Sequence, residues 1–433
     1  MRPCKASDTA PGRDALASRG PLIVLLAGVA AAICPAAMDM YVPALPSIAR
    51  DFGVTVSTTQ LTVTAFLLGL AVGQLIAGPL SDVLGRRRPL CGAILIYSTA
   101  SLLCAVAPDA LVLVSMRLLQ GLAAAGGIAV SRAIVSDLYS GAEAARYFSR
   151  LMLVTGASPV IAPLIGALLL HVTSWHGVFV VLAVLGLVIF AAIVRFLPET
   201  LTQARRRPWG FASTFRVFGD LLGDRVFVGY AITLGLCMSA LIAYISGAPF
   251  IVEDHYGRSA GVFGLVFSTS AVAMMATSQA NARLVRHQPL IRLVFIGLGI
   301  TIVGGIGLLA VVAGGVGFGA AAACFILLLG SWGFVPPNVT ALALTDHAAV
   351  AGSAAALLGV FQYGMGSLAA PLGGAAGGMN PVPLAIVILA MGCVSSAAAA
   401  VTYWQARRRD GLLPTGFARR PLASVSLEAK PPT

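Results

Sequence analysis

The chain has 433 residues, of which 58% are hydrophobic and only 10% are charged, and its mean hydropathy is +0.92. Soluble globular chains carry about 25% charged residues, so this composition excludes a water-soluble fold, which could not bury so much apolar surface. The net charge of +12 lies in loops and tails, which is typical of membrane topology and argues against a nucleic-acid partner.

Twelve apolar runs follow one another along the chain, each close to the length that a helix needs to cross a bilayer. The runs are apolar on all sides, whereas a transmembrane β-barrel shows alternating segments of about ten residues. The sequence therefore predicts an all-α polytopic membrane protein with twelve transmembrane helices. The predicted spans are 21–45, 57–80, 89–107, 111–131, 148–170, 175–197, 226–250, 261–281, 290–312, 317–342, 351–376 and 382–404.

The longest internal hydrophilic stretch, 200–225, divides the spans six and six. Segment 156–167 of span 5 matches segment 364–375 of span 11 at six of twelve positions, although Gly/Ala-rich helices can match by chance. A repeat that relates these two segments predicts two pseudo-symmetric six-helix bundles. Many secondary transporters enclose a midplane site with this arrangement. The predicted divisions are an N-tail, two bundles, the loop between them and a basic C-tail, at 1–20, 21–199, 200–225, 226–404 and 405–433.

The arginines and lysines predict the orientation. With both termini in the cytoplasm, the outer side receives only Arg50 and Arg258, Arg117 lies within a span, and the remaining basic residues fall on the inner side. Arg132 is counted with the inner side, just beyond predicted span 4. We therefore expect a multi-pass protein of the inner membrane, with the tail at 407–409 against anionic headgroups.

Several motifs stand in order along the chain and carry a family resemblance. The loop 78–88, GPLSDVLGRRR, packs an acid, a glycine and three arginines between spans 2 and 3. The other motifs are DMYVPALP at 39–46, RLLQG at 117–121, the glycines and prolines Gly156, Pro159, Pro163 and Gly166 of span 5, and LPET at 197–200. Through these residues the chain resembles the major facilitator superfamily, and more closely the twelve-span Bcr/CflA-type drug:proton antiporters for bicyclomycin and chloramphenicol.

The resemblance implies the major facilitator fold and proton-coupled efflux of drug-like or amphiphilic small molecules by alternating access. It implies a monomer that uses the proton gradient and no cofactor. Three positions depart from the family pattern: Val83 stands where a basic residue is usual, Ala167 where a glycine is common, and His176 where an arginine is usual. Val83 puts one contact of the loop 78–88 in doubt.

Asp39 and Arg117 are the predicted proton-coupling residues. A carboxylate within a membrane span is costly and usually functional, and burial favours its neutral form, so that it can exchange protons. Span 1 ends near Pro46, seven residues after Asp39, and span 4 begins near Ala110, seven residues before Arg117. At 1.5 Å per residue both lie about 10 Å below the outer boundary, so we expect an ion pair between them. A helix-end acid without a role and a purely structural pair are the alternatives.

The remaining candidate residues are predicted to contact substrate or to control conformation. The second half has no comparably deep acid or base, since Glu253, Asp254 and Asp346 fall at run ends or in loops, and it is expected to offer neutral surface. Ordinary helix packing is the alternative for each substrate candidate. The substrate candidates are Tyr41, Gln120, Tyr244, Trp332, Asn338, Phe361 and Gln362. The conformational candidates are Gly78, Asp82, Gly85, Arg86, Arg87, Gly156, Pro159, Pro163 and Gly166. The loop 78–88 is expected to act as a latch, or else merely to enforce topology, and Pro336–Pro337 is expected to interrupt span 10.

Other functional classes fit the sequence less well. A P-loop needs a lysine, and the two lysines, Lys5 and Lys430, lie in the tails, so an ATP-driven pump is excluded. The five histidines are dispersed and the seven cysteines form no CxxC pair, so neither an enzyme nor a metal site is predicted. A channel would leave the repeat and the embedded acid unexplained. A proton-coupled symporter or exporter of a sugar or other metabolite is the serious alternative.

Overall fold

The protein is described by a computed structural model that covers residues 12–139, 141–201, 203, 206, 211–347, 350–372 and 380–409. Within these residues twelve helical spans are long and apolar enough to cross a membrane, which confirms the predicted all-helical, twelve-span fold. The spans are Leu22–Phe52, Val56–Leu84, Arg87–Ala105, Ala110–Leu138, Val154–Val172, Trp175–Phe196, Arg225–His255, Ala260–Leu284, Leu290–Ala313, Phe318–Leu344, Gly352–Leu372 and Val382–Arg409.

Several spans are broken at the positions where their sequence disfavours a helix. In span 1 the helix Gly12–Asp39 is followed by the 3₁₀ turn Val42–Ala44 and the short helix Leu45–Phe52. In span 10 the helix Phe318–Ser331 stops and a second helix, Val335–Leu344, begins. Pro336 and Pro337 stand in the first turn of that second helix, where a missing backbone donor has no effect. The predicted interruption is therefore present, and the turn Trp332–Phe334 lies at it.

The spans of the first half pack closely because small residues face one another. A Cβ atom added at Gly69 or Gly121 would overlap backbone of the facing helix, spans 4 and 2 respectively. Such close approach is how helices associate in lipid, where apolar surface alone gives no attraction between them. This contact places the middle of span 4, including Arg117, against span 2.

The two ends of the helical bundle differ in charge and in packing. The basic end carries Arg86–Arg88, Arg225 and Arg407–Arg409, and the opposite end carries Asp51 and Asp254. The two halves are joined toward the opposite end. Hydrogen bonds there run from Gln60 Nε2 to the carbonyl of Ser246 (3.2 Å), from Ser57 to the carbonyl of Pro371 (3.2 Å) and from Thr64 to the carbonyl of Ser367 (2.7 Å). The bundle is therefore closed at this end.

A cavity of about 570 Å³ lies between the halves at the basic end. Spans 2 and 4 line one wall through Gln74, Gly78, Ala133 and Ser136, and span 11 lines the other through Gly352, Ser353 and Ala356. A helix at Phe211–Gly223, which the sequence analysis did not predict within the 200–225 loop, contributes Phe218 to the lining. The hydrophilic loop thus supplies part of the wall of the cavity.

Candidate functional site

Arg117 lies in the core of the first half and is fully buried. Its Nη1 donates to the side-chain oxygen of Gln120 (2.6 Å) and to the carbonyl of Ala37 in span 1 (3.2 Å). Its guanidinium carbon lies 4.4 Å from the ring centre of Tyr41 and 4.3 Å from that of Phe66. The aromatic faces stabilise the buried cation electrostatically. Its Nε and Nη2 atoms have no hydrogen-bond partner among the described residues.

Asp39 is the last residue of the first helix of span 1 and is 5% exposed. No hydrogen bond or ion pair to its carboxylate occurs among the described residues. The helix ends at Asp39, and the chain continues into the 3₁₀ segment Val42–Ala44. Arg117 donates to the carbonyl of Ala37, two residues before Asp39, so both groups lie near the end of this helix.

The predicted ion pair between Asp39 and Arg117 is absent from this structure, and this part of the sequence interpretation was wrong for the conformation described. Equal depth for the two residues requires span 1 to be one continuous helix, whereas the helix ends at Asp39. Arg117 reaches the backbone of span 1 two residues earlier, at Ala37. An acid without a partner and a cation with two unpartnered N–H groups therefore occupy the same buried region.

Two of the substrate candidates, Tyr41 and Gln120, belong to the first half, and both contact Arg117. The Tyr41 hydroxyl is hydrogen-bonded to Thr62, and its ring lies under Arg117 and 5.4 Å from the ring of Phe179. The Gln120 amide accepts from Arg117 and donates to Ser101 (2.7 Å). Both polar ends of Gln120 are therefore engaged within the protein.

The substrate candidates of the second half fall into different environments. Tyr244 is buried, with its ring 5.3 Å from that of Phe325. Trp332 occupies the interruption of span 10, where it is partly buried and packs against two separate apolar clusters of the core. Phe361 is partly buried, and Gln362 makes one long contact from its amide nitrogen to the sulfur of Met238 (3.9 Å).

Asn338, the remaining candidate of the second half, is buried and links two spans. Its amide nitrogen donates to Asn281 of span 8 (2.6 Å) and to the carbonyl of Phe334 (2.7 Å). The amide of Asn338 is therefore used in joining helices of the second half.

Arg86 is the centre of a charged network at the basic end. Its guanidinium donates to Asp137 at the end of span 4 (2.8 Å) and to Asp82 (2.6 Å). Burial opposes the guanidinium charge, but the hydrogen bonds to Asp137 and Asp82 outweigh it and raise the Arg86 pKa above its ordinary value. The backbone N–H groups of Arg86 and Arg87 donate to Glu199 (2.7 and 3.2 Å). These contacts hold spans 2, 3, 4 and 6 together within the first half.

The loop keeps this shape because of Gly85, which ends span 2 with φ = +89°. Side chains rarely adopt such a backbone conformation, and a Cβ atom here would also overlap the Glu199 carboxylate. Arg87 adds a bond from Nη2 to the carbonyl of Val194 in span 6 (2.5 Å). Gly78 has open space around it and lines the cavity. The latch role of these residues stays a prediction.

The span 5 candidates behave unequally. The helix Gly141–Val172 continues without interruption through Pro159 and Pro163. A Cβ at Gly166 would overlap the carbonyl oxygen of Met40, directly after Asp39, whereas a Cβ at Gly156 would meet nothing within 4 Å. The expected close approach is therefore present at Gly166 and absent at Gly156. Span 5 also contacts the second half, where Ser268 of span 8 donates to the carbonyl of Val160 (2.6 Å).

Sequence reasoning missed several charged residues of this network and its surroundings. Asp137 and Glu199 were not assigned a role, although both follow predicted span ends and carboxylates there are natural partners for Arg86. Glu253 was placed at a run end or in a loop, whereas the helix continues as a π-turn over Ile251–His255. Glu253 Oε1 is buried there, with no hydrogen-bond partner among the described residues. Arg132, counted with the inner loop, lies within span 4, which continues to Leu138.

Comparisons with known proteins agree with this architecture. The family model described as Major Facilitator Superfamily matches residues 27–374. The chain belongs to the Major Facilitator Superfamily. Uncharacterized MFS-type transporter YdgK of Bacillus subtilis (strain 168) is 37% identical over 357 residues, which are 81% of this chain and 88% of that protein. This superfamily member is therefore similar to a transporter over most of its length.

Other superfamily relatives carry names that refer to drug resistance. The Bicyclomycin resistance protein homolog of Haemophilus influenzae (strain ATCC 51907 / DSM 11121 / KW20 / Rd) is 26% identical, over 80% of this chain and 87% of that one. The Chloramphenicol resistance protein of Pseudomonas aeruginosa is 33% identical, over 57% of this chain and 58% of that one. The predicted resemblance to this drug-efflux family is confirmed.

Solved structures of superfamily members share the fold. The nucleoside transporter NupG, in a mutant form, has a TM-score of 0.71 at 13% identity, covering 88% of this chain and 99% of that one. A bacterial homolog of the human lysosomal transporter Spinster, inward-facing and unoccupied, has a TM-score of 0.67 at 16% identity, covering 92% and 98%. At these identities the likeness concerns the fold alone.

Proposed function

We propose that this protein is a proton-coupled efflux transporter of drug-like or amphiphilic small molecules that works by alternating access. The observation that carries the proposal is the buried pair of groups Asp39 and Arg117, which lie in one core without pairing. The drug-resistance names of the relatives support the substrate class. The proton gradient serves as the energy source, and no cofactor is needed.

The basic end is assigned to the cytoplasm and the opposite end to the outside of the inner membrane. The excess of arginine at one end supports this orientation, because basic residues are retained on the cytoplasmic side. With that assignment the protein is closed toward the outside, and its cavity lies on the side from which an exporter collects its substrate.

The unpaired arrangement of Asp39 and Arg117 fits the proton-bound state. A carboxyl group that is buried without a partner is less costly when neutral. When Asp39 releases its proton toward the cytoplasmic cavity, the new anion attracts Arg117, whose Nε and Nη2 still lack acceptors. Since Arg117 also holds Tyr41, Gln120 and the backbone of span 1, its movement repacks the first half.

The transport cycle follows from this change. With Asp39 ionised and paired, drug binds from the cytoplasmic cavity, and the halves reorient to open outward. A proton from outside then reaches Asp39, separates it from Arg117 and returns the protein to the outward-closed form. If net charge moves, the membrane potential contributes about 2.3 kcal/mol per charge per 100 mV.

The test is Asp39→Asn in proteoliposomes, with chloramphenicol as the probe and an imposed pH gradient. We expect loss of gradient-driven chloramphenicol transport, because asparagine cannot exchange the proton. Asp109→Asn is the matched control, since Asp109 is an acid that caps span 4 (Oδ1 to the backbone nitrogen of Val112, 2.9 Å) and is not part of the core. Arg117→Ala is expected to lose coupling as well.

Uphill export by Asp39→Asn with undiminished pH dependence would contradict the proton role. Normal coupled transport by Arg117→Ala would contradict the role of the second group. A drug-susceptibility panel in an efflux-deficient host, with and without a protonophore, tests the substrate class. Uptake of a sugar or other metabolite in place of resistance would favour the symporter alternative.

A further inference from the structure

Arg132 is a cation within a membrane span that the mechanism above does not use. It lies six residues before the end of span 4, and its side chain is exposed. An arginine at this depth is costly unless it is paired or faces a water-filled space. No hydrogen bond or ion pair to Arg132 occurs among the described residues.

Arg132 lies one helical turn further from the basic end than a residue that lines the cavity between the halves. Ser136, four residues later and therefore on the same helix face, lines that cavity. On the facing wall, Ala356 lines the cavity and Tyr363 lies two turns farther along the same face of span 11. Arg132 and Tyr363 thus lie on helix faces that continue the two walls of the cavity toward the middle of the membrane.

The acids near this cavity do not neutralise Arg132. Asp82 and Asp137, at the mouth, both bind Arg86. Asp39 is buried in the core beside the Arg117 region, and in the proposed cycle it alternates between a proton and Arg117. The uncompensated charge next to the cavity is therefore positive, and Tyr363, on the facing span, is partly buried.

We propose that Arg132 selects substrates that carry an anionic group, such as a carboxylate or sulfonate, next to an aromatic or apolar part. The anion pairs with the guanidinium, which presents planar, multiple N–H donors. The apolar part lies against Tyr363 and the small residues of span 11. This inference rests on the proposed function and narrows its substrates to amphiphilic organic anions and to molecules with strongly accepting groups.

The test compares two dyes that share a xanthene scaffold, the anion fluorescein and the cation rhodamine 123. Their binding to the purified full-length protein is measured by fluorescence anisotropy in nanodiscs of zwitterionic lipid. We expect fluorescein to bind more tightly than rhodamine 123. Arg132→Gln weakens fluorescein binding by about tenfold or more, since a hydrogen bond to a charged group is lost, and it does not weaken rhodamine binding. Arg132→Lys retains part of the fluorescein affinity.

Arg195→Gln is the matched control, because Arg195 is an exposed arginine that lies over the ring of Phe196 (5.1 Å) at the end of span 6. It is expected to change neither affinity, and equal elution profiles in size-exclusion chromatography verify that all variants fold. Unchanged fluorescein binding in Arg132→Gln overturns the proposal. If Arg132→Gln changes fluorescein binding only in nanodiscs that contain anionic lipid, the group that Arg132 recognises is a lipid headgroup. That result also overturns the proposal.

This binding measurement separates the inference from the proposed function. If Asp39→Asn transports normally but Arg132→Gln loses fluorescein, the efflux mechanism fails and the anion site stands. If transport depends on Asp39 while Arg132→Gln leaves fluorescein binding unchanged, the efflux mechanism stands and the anion site fails.

Discussion

Arg117 is held by three different kinds of contact, and the combination explains how a cation survives in this core. Its Nη1 donates to the carbonyl of Ala37 and to the side-chain oxygen of Gln120. The rings of Tyr41 and Phe66 cover the guanidinium. A buried charge with an opposite partner removed is normally destabilising by several kcal/mol, roughly 3–5. The rings and the carbonyl of Ala37 substitute for the missing carboxylate, so Asp39 remains available for a proton.

The position of Asp39 depends on a residue of another helix, Gly166. Because a Cβ there would overlap the carbonyl oxygen of Met40, Gly166→Ala must displace the turn that follows Asp39. We expect a loss of about 1–3 kcal/mol of stability, typical of overpacking, together with reduced transport. The measurement is the midpoint of thermal unfolding by fluorescence-detected size-exclusion chromatography.

The same helix supplies the control for this substitution. Gly156→Ala places a methyl group in open space, so only a small change in the unfolding midpoint is expected. Equal midpoints for Gly166→Ala and the unmodified protein would show that the turn yields without cost.

At the scale of elements, ion pairs join helix ends at the basic end in both halves. In the first half Arg86 holds the ends of spans 2 and 4. In the second, Asp224 begins span 7 and binds His347, which follows span 10 (3.0 Å), and Arg409 at the end of span 12 (3.4 Å). Asp224 also caps its helix by accepting from the backbone nitrogen of Val226 (2.9 Å). Each half is thus held as one body by charged residues at helix ends.

The cap and ion pairs of Asp224 predict a pH effect. Partial burial raises the pKa of this carboxyl, but hydrogen bonds from the Val226 N–H and from His347 outweigh it and lower the pKa below its ordinary value. A lowered pKa stabilises the fold above the ordinary value of about 3.9, and this stabilisation is lost as pH falls through the native pKa. Asp224→Asn should therefore lower the unfolding midpoint at neutral pH.

The difference from the unmodified protein should shrink as the pH falls below about 4. Asp220→Asn is the control, since Asp220 is exposed on the helix Phe211–Gly223 and forms no ion pair among the described residues. A midpoint difference that persists unchanged at acidic pH would contradict the assignment to Asp224 ionisation.

At the scale of the whole molecule, the two halves meet through few polar contacts near the opposite end. The ion pair between Arg50 of span 1 and Asp254 of span 7 (3.0 Å) crosses this interface. Its side chains are 62% and 29% exposed, so solvent screens it and its contribution is small, about 0–1 kcal/mol. A contact of that size cannot hold the fold, but it can bias an equilibrium between two conformations.

Asp254→Asn should shift the population toward a form that is open at the opposite end, by no more than about fivefold. The distance between spin labels on the outer ends of spans 1 and 7, measured by double electron–electron resonance, reports the shift. The charge-reversed pair, Arg50→Asp with Asp254→Arg, should restore the original distribution. An unaltered distribution in Asp254→Asn would assign closure to the buried hydrogen bonds of Gln60 and Thr64 instead.

The number and order of the spans were predictable because lipid imposes one local requirement on every spanning segment. A spanning helix must form all of its own backbone hydrogen bonds and present apolar side chains for about twenty residues. Consecutive residues of the sequence show whether a segment meets this requirement. The interruption of span 10 was predictable for the same reason, since Pro336 and Pro337 act on the backbone beside them.

The sequence by itself therefore determined the fold, the family and the two buried charges, Asp39 and Arg117. Only the tertiary structure decided their partners. The absent ion pair, the network of Arg86 with Asp137 and Glu199, and the place of Arg132 depend on which helix faces meet and where helices end. Those contacts join residues far apart in the chain, and no local pattern specifies them, because the energy of each depends on neighbours supplied by other helices.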